Sequence, residues 1–140
     1  MIRPAQSKDI PAVVGMVAEL CRSTRLMVPM DRKVTERTLL HLMTGPRSLL
    51  DVAEANGRLV GFIAASVGYG SISAAPVAQE HGWWGEGGSG LRLLLRYEQW
   101  AKDQGCEFIR MSTPPTNERA AQVLRKRGFS VSELAWAKAI

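Results

Sequence analysis

Apolar positions along the chain repeat with the period of a helix in several segments. In the first helix, predicted over about residues 7–21, the apolar face consists of Ile10, Val13, Val14, Val17 and Cys21. A longer helix follows the glycines near residue 90, and its buried face is predicted to carry Gly90, Leu93, Leu94, Tyr97, Trp100 and Ala101. Shorter helices are predicted over residues 34–43 and 117–127. Each of these faces is expected to pack against a core.

Two other segments have the composition of β-strands and are joined by Asn56-Gly57, the strongest two-residue hairpin signal. They cover residues 48–55 and 58–69, and the second is apolar nearly throughout, as expected for a central strand covered on both faces. Further strands are predicted over residues 2–6, 75–84, 108–112 and 131–139. The element order β-α-α-β-β-β-α-β-α-β predicts an α/β (α+β) fold with a single mixed sheet, in one domain over residues 1–140.

Glycines are concentrated between a predicted strand and the long helix, in the sequence Gly85-Glu86-Gly87-Gly88-Ser89-Gly90. The first turn of a helix has backbone N–H groups without intrahelical partners, and glycines leave these groups open to an anion. A flexible turn is the ordinary interpretation of a glycine-rich stretch. The order of strand, glycine loop and amphipathic helix instead favours a phosphate-binding site.

The spacing Gly85-x-Gly87-x-x-Gly90 also matches the dinucleotide-binding fingerprint. That motif needs an acidic residue at the end of the next strand, where it binds the ribose. The next predicted strand ends in Arg110-Met111-Ser112, and the chain after it is too short for a second nucleotide-binding half. We therefore exclude a Rossmann fold.

Composition and charge narrow the class of protein. Hydrophobic residues make up 46% of the 140 residues, as in ordinary globular chains, and no apolar run approaches the roughly 20 residues of a membrane span. The sequence has no signal-peptide pattern and only two cysteines, Cys21 and Cys106, so reduced thiols and a cytoplasmic location are expected. The net charge of +5 favours an anionic ligand or partner, and no membrane partner is expected.

Several short motifs, in the same order along nearly all of the chain, resemble the GNAT superfamily of N-acetyltransferases. They are Ile2-Arg3-Pro4-Ala5 with Asp9-Ile10, Gly57-Arg58-Leu59-Val60-Gly61-Phe62, the Gly85–Gly90 loop with its helix, Asn117 with Ala120 and Ala121, and Gly128-Phe129. The chain looks most similar to compact phage- or bacterial-type members with Glu-x-Gly-Trp-Trp on the fourth strand, here Glu80-His81-Gly82-Trp83-Trp84. The resemblance implies a mostly antiparallel sheet with helices on both faces.

The resemblance also implies acetyl-CoA as the co-substrate, with no metal. The implied reaction transfers acetyl to a primary amine, either on a protein (lysine or N-terminus) or on a small molecule, by direct attack of the amine on the thioester. In the family, the fourth strand pairs with the pantetheine arm, the glycine loop binds the pyrophosphate, and an Asn helps to hold the arm. The residues that match these cofactor-binding positions are Trp83, Trp84, Gly85, Gly87, Gly88, Ser89, Gly90, Leu91 and Asn117.

A Glu on the fourth strand often serves the family as general base, because an ammonium group must lose a proton before it attacks. Glu80 is the main candidate here, and Glu54 and His81 are weaker ones. Members of the family often carry a tyrosine that protonates the departing thiolate, but Leu124 stands at that position. Ser112, near the end of the fifth strand, is therefore predicted to replace part of that role through its hydroxyl.

Several alternatives stay open at the level of sequence. Glu86, a carboxylate in the expected pyrophosphate loop, and Leu124 also fit a non-catalytic acyl-CoA-binding or host-protein-binding module on the same fold. The basic charge fits an acetyltransferase that acts on aminoacyl-tRNA as well. The acceptor is set by loops such as residues 22–33, and a homodimer is left open.

Overall fold

The protein is built on one five-stranded sheet, and its computed structural model describes residues 1–24 and 28–140. The strands are β1 (Ile2–Pro4), β2 (Ser48–Ala55), β3 (Arg58–Tyr69), β4 (Pro76–Gly85) and β5 (Phe108–Arg110). The helices are α1 (Ile10–Thr24), α2 (Arg32–Thr44), α3 (Ser89–Asp103) and α4 (Glu118–Lys126), with a short 3-10 turn, Ser7–Asp9, before α1.

The strands lie in the sheet in chain order, and neighbours from β1 to β4 are antiparallel. β5 lies parallel to β4, so the sheet is mixed and mostly antiparallel, as predicted. The β2–β3 hairpin turns at Asn56 and Gly57, whose φ angles of 53° and 73° are the positive values that a type I′ turn needs. The pairing of β4 with β5 is short and ends at Gln79 opposite Arg110.

Helices cover both faces of the sheet, because the central strand β3 is apolar on both sides. Phe62 and Ala64 pack against α1 and α2, whereas Ile63 and Ala65 pack in the core formed with α3 and α4. This confirms the expected fold class. Among the described residues, none of the helices combines the length and the apolar character needed to cross a membrane.

The 3-10 turn before α1 follows Gln6, which is its N-cap residue. The Asp9 carboxylate accepts the Gln6 N–H at 2.8 Å. Arg3 forms an ion pair with Asp9 at 2.7 Å, which ties β1 to this turn. A carboxylate on the third residue of the turn therefore satisfies the first N–H group, as in a capping box.

The predicted irregular segment over residues 22–33 is shorter in the structure. α1 continues to Thr24, and α2 begins at Arg32 after its cap, Asp31, which accepts the Val34 N–H at 2.9 Å. Residues 25–27 of the predicted loop lie outside the described residues. The part of this loop that the structure describes is therefore residues 28–31.

The prediction of a sixth strand over residues 131–139 is wrong. Residues 129–140 form neither strand nor helix, and Leu134 and Trp136 are 71% and 90% exposed. The alternating apolar pattern favours a strand, but strand propensity acts only where a neighbouring edge offers pairing and burial. β5 has only three residues, Phe108–Arg110, and so offers little edge. An ion pair between Glu133 and Arg110 is the contact that connects this tail with β5.

Candidate functional site

The glycine loop between β4 and α3 has a defined shape, because its own polar groups hold it. The Glu86 N–H donates to the Val60 carbonyl at 2.8 Å. The buried Ser89 hydroxyl bridges the carbonyls of Glu86, at 2.6 Å, and Val60, at 3.2 Å. Gly87 has a φ angle of 58°, which residues with a Cβ rarely adopt. These contacts anchor the loop to the start of β3.

Gly85 allows the start of α3 to lie directly against the end of β4, and Gly61 allows the end of β4 to lie close to β3. A Cβ on Gly85 would come within 2.6 Å of the Gly90 nitrogen, and one on Gly61 within 2.8 Å of the Trp84 carbonyl oxygen. Both distances are shorter than a carbon atom tolerates, so side chains at these positions would push the loop away from the strand.

Four backbone N–H groups at the start of α3 have no hydrogen-bond partner within residues 1–24 and 28–140, namely those of Gly87, Gly88, Gly90 and Leu91. The N-cap residue Gly88 has no side chain that could satisfy them. The positive end of the dipole of this 15-residue helix lies at the same place. Such a group of donors fits an anion of the pyrophosphate class.

Glu86, the carboxylate that seemed out of place in this loop, is paired with Arg58 at 2.9 Å. The Arg58 guanidinium holds the pKa of Glu86 below its ordinary value. The pair offsets the negative charge beside the unpartnered N–H groups. The sequence contained Arg58 in a family-like motif but gave it no role, because the pairing depends on two segments that meet only in the fold.

β4 has an unpaired outer edge from Glu80 to Gly85, because β5 pairs with it only as far as Gln79. No other strand in the described parts of the chain covers this edge. An open strand edge can bind an extended chain through its backbone N–H and C=O groups. The edge leads directly into the glycine loop.

The two tryptophans of β4 flank this edge on opposite faces of the sheet. Trp83 packs on the α3 side, where its indole N–H donates to the Gly90 carbonyl at 2.8 Å. Trp84 packs on the side of α1 and α2. Both side chains are partly buried, so their structural part is to fix the strand, and their backbone belongs to the open edge.

Glu80 lies where β4 and β5 separate, on the face covered by α3, and is 9% exposed. Its Oε2 accepts the Ser112 N–H at 3.1 Å. Burial raises the pKa of Glu80 to about 7, although the bond from Ser112 opposes this rise. A carboxyl group with a pKa near neutrality can accept a proton and release it again at physiological pH.

A β-bulge in β4 begins directly after Glu80. The β3 residues opposite Gly82 and Glu80 are consecutive, so His81 is an extra residue in β4. Its Nε2 lies 2.6 Å from the Ser66 hydroxyl, and partial burial lowers the pKa of the imidazole. The ring is therefore mostly neutral at pH 7, and it lines a groove between α1 and α2, on the opposite face from Glu80.

Ser112 and Asn117 both contact the site or its surroundings through groups other than those expected. Ser112 reaches Glu80 with its backbone N–H, whereas the prediction concerned its hydroxyl. The Asn117 side-chain oxygen accepts the Ala120 N–H at 3.1 Å and so caps α4. The carboxylate of Glu54, the weaker base candidate, is bonded to Arg3 at 3.1 Å.

Leu124 is buried in the core on the α3 side, so no hydroxyl stands where the family often has one. The sequence placed Tyr97 in the same core, and this is confirmed. What the sequence missed is that the Tyr97 hydroxyl donates to the Arg110 carbonyl at 2.9 Å, at the last paired residue of β5. Burial raises the pKa of Tyr97, so the hydroxyl stays protonated. No pattern in a single sequence indicates such a bond.

Solved structures with this fold are similar to the chain over its whole length. A transcriptional regulator from Bacillus halodurans has a TM-score of 0.81 at 20% identity, covering 100% of this chain and 99% of its own. A predicted acetyltransferase with acetyl-CoA from Clostridium acetobutylicum has a TM-score of 0.81 at 17% identity, covering 100% and 95%. The aminoglycoside N-acetyltransferase AAC(6')-Iy, in complex with CoA, has a TM-score of 0.76 at 18% identity, covering 100% and 93%. At such identities these likenesses establish the fold.

The family is established by the sequence itself. No curated protein matches the chain, but the model of the acetyltransferase (GNAT) family matches residues 16–129, well over half of it. The resemblance seen in the motifs and the expected class of N-acetyltransferase are thereby confirmed. The chain belongs to the acetyltransferase (GNAT) family.

Proposed function

We propose that this chain transfers acetyl from acetyl-CoA to a primary amine. The observation that carries the proposal is the set of unpartnered N–H groups at the start of α3, next to the open edge of β4. A CoA molecule needs both features, one for its pyrophosphate and one for the amides of its pantetheine arm. Relatives in complex with CoA and with acetyl-CoA share the fold and support this choice of ligand.

The binding residues follow from this arrangement. The N–H groups of Gly87, Gly88, Gly90 and Leu91 would hold the pyrophosphate, and the backbone of Trp83 and Trp84 would pair with the arm. Gly85 and Ser89 would act by shaping the loop. Asn117 would contribute its amide nitrogen, since its oxygen caps α4. Acetyl-CoA, when bound, supplies the acetyl group as a thioester, which an amine nitrogen can attack.

Glu80 would act as the general base. Its pKa of about 7 leaves a large fraction ionised at neutral pH, and its basicity exceeds that of an exposed carboxylate. The Ser112 N–H fixes the carboxylate beside the open edge of β4. Glu80 would therefore accept the proton that the amine loses, directly or through a water molecule.

A second candidate function is an acyl-CoA-binding module without catalysis, and Leu124 favours it. The departing sulfur gains negative charge, and a hydroxyl donor would stabilise it. Leu124 offers no hydroxyl, and the replacement that the sequence suggested is the hydroxyl of Ser112. The two functions share the CoA site and differ in turnover.

Three substitutions of Gly88 test the CoA site. This residue has a φ angle of −84°, and a Cβ on it meets open space, so a side chain fits without backbone strain. We expect Gly88→Ala to keep the CoA affinity, because it adds volume only. Gly88→Asn should weaken binding, because its oxygen competes for the free N–H groups as an N-cap. Gly88→Asp should weaken binding about 10-fold or more, because it adds a negative charge as well.

Isothermal titration calorimetry with CoA measures these affinities, and thermal unfolding verifies that all three variants are folded. The difference in CoA affinity between Gly88→Asp and Gly88→Asn should become smaller at high salt, because ions screen the added charge. Equal CoA affinity in all four proteins would remove the loop from the site. Normal CoA binding without turnover of any amine would favour the binding module.

A further inference from the structure

A groove lies between α1 and α2 above the centre of the sheet, with a cavity volume of about 190 Å³. Its floor is formed by Phe62 and Ala64 of β3 and by His81 and Gly82 of β4. Its walls come from the two helices and are apolar for the most part: Val17, Leu20, Val34, Leu39 and Leu42, with Thr35 and Thr38.

The groove has very little polar character. Of the described residues that line it, none is acidic, and His81 is the one with a titratable side chain. The two threonine hydroxyls are used within α2, since Thr35 donates to the Asp31 carbonyl at 2.8 Å and Thr38 to the Val34 carbonyl at 3.0 Å. The imidazole is therefore the main polar group that a ligand would meet.

The polar end of the groove adjoins the proposed cofactor site. His81 and Gly82 follow the last β4 residue that pairs with β5, so they belong to the open stretch of β4. An amine nitrogen at this end would lie beside the strand edge that is assigned to the pantetheine arm. The rest of the same molecule would extend between the helices.

Size and charge restrict what can occupy the groove. Pockets that bury drug-sized ligands usually enclose about 300–1,000 Å³, so this groove suits a smaller molecule. A polycation such as an aminoglycoside would bring several charges against walls without a carboxylate, and unpaired buried charges are costly. Relatives of this fold include an aminoglycoside acetyltransferase in complex with sisomicin, but none of the described residues that line the groove of this chain offers a carboxylate to pair with such a polycation.

We propose that this groove binds the acceptor, and that the acceptor is a small primary amine with a single apolar substituent, of the arylalkyl or alkyl type. The proposal rests on the proposed function for its reaction. The apolar substituent packs between α1 and α2, and the nitrogen lies at the His81 end. Specificity then comes from the helices. Because the groove and the Glu80 carboxylate lie on opposite faces of the sheet, Glu80 would take the proton of an amine bound here through water at the open edge of β4, and His81 is the titratable side chain that the amine would meet directly.

Thr38 and Thr44 provide a matched pair of test sites. Both are exposed residues of α2 whose hydroxyls donate to the carbonyl four residues earlier at 3.0 Å, but only Thr38 lines the groove. Thr38→Glu places a carboxylate at the rim of the groove. Thr44→Glu adds the same charge to the same helix away from it.

The experiment measures kcat/KM with acetyl-CoA for four probes: 2-phenylethylamine, n-hexylamine, spermidine and sisomicin. We expect the two apolar amines to exceed the two polycations by about 10-fold or more. Thr38→Glu should lower kcat/KM for 2-phenylethylamine by about 10-fold and raise it for spermidine, while Thr44→Glu stays within about two-fold of the natural protein. CoA affinity should be the same in all three proteins.

Binding of 2-phenylethylamine, followed by ligand-observed NMR in the presence of CoA, separates this proposal from the proposed function. Turnover that favours spermidine or sisomicin, or equal effects of the two substitutions, overturns the groove proposal and leaves the acetyltransferase standing. Binding that Thr38→Glu abolishes, without turnover of any amine, supports the groove and overturns the enzyme. If the apolar amines show neither binding nor turnover, the groove proposal is overturned.

Discussion

Glu80 is expected to lower the stability of the folded protein as the pH rises through neutrality. Its ordinary pKa is 4.5, and burial raises the pKa to about 7 in the folded state. Between these two values the folded state binds more protons than the unfolded chain, so the free energy of unfolding falls with increasing pH. The stabilisation is complete below about pH 4.5 and is lost above about pH 8.

The magnitude follows from the gap between the two pKa values. At about 1.4 kcal/mol per pH unit, the gap corresponds to about 3 kcal/mol of lost stability. This is a large part of the roughly 5–15 kcal/mol that stabilises an ordinary domain. The physical cause is burial of a carboxylate that has one backbone donor and, among the described residues, no cation paired with it.

Glu80→Gln removes the titration and keeps an oxygen that can accept the Ser112 N–H. We would measure urea unfolding of both proteins from about pH 4.5 to about pH 8.5 and compare the difference in their free energies of unfolding. That difference should change by about 3 kcal/mol in favour of the variant as the pH rises. Glu107→Gln, the same substitution at an exposed carboxylate, is the matched control.

The same variant tests the chemistry. In the natural protein the acetylation rate should rise as the pH increases through about 7, and Glu80→Gln should lose this rise and about 10²-fold or more in rate near neutral pH. CoA affinity should hardly change. A stability difference that is flat with pH would refute the reasoning about burial, and an unchanged rate would pass the role of base to His81, Glu54 or water.

The remaining predictions concern packing around the site. Arg96→Ala should lower the free energy of unfolding by about 1–3 kcal/mol in urea titrations, because the nearly buried Asp51 carboxylate accepts the Arg96 Nε–H at 2.9 Å. A further Asp51→Asn change should restore part of this loss, and an unchanged urea midpoint in Arg96→Ala would contradict the prediction. Leu124→Tyr and Leu124→Phe should each cost about 1–3 kcal/mol by overpacking the core. The tyrosine variant should nevertheless have the higher kcat in steady-state assays, and equal values would exclude a role for a hydroxyl there.

The sequence by itself determined the features that depend on neighbouring residues. The hairpin at Asn56-Gly57 was predictable because both residues tolerate the positive φ angles that the turn needs. The helices and their apolar faces follow from periodicity, which reports which side of an element is buried. The free N–H groups of the glycine loop before α3 were predictable, because they are a property of any helix start without a capping side chain.

The tertiary structure alone decided how these pieces combine. Side chains alternate along a strand, so Glu80 and Trp83 would ordinarily face opposite sides; the extra residue His81 in β4 places both on the α3 side, and only the register with β3 reveals it. The same holds for Ser112, whose backbone reaches Glu80 across the gap between two strands. The strand predicted over residues 131–139 did not form, because a strand needs a partner edge and β5 is too short to provide one. Strand pairing, burial and the groove between α1 and α2 depend on segments that meet in space, and the pattern of a single chain does not contain that information.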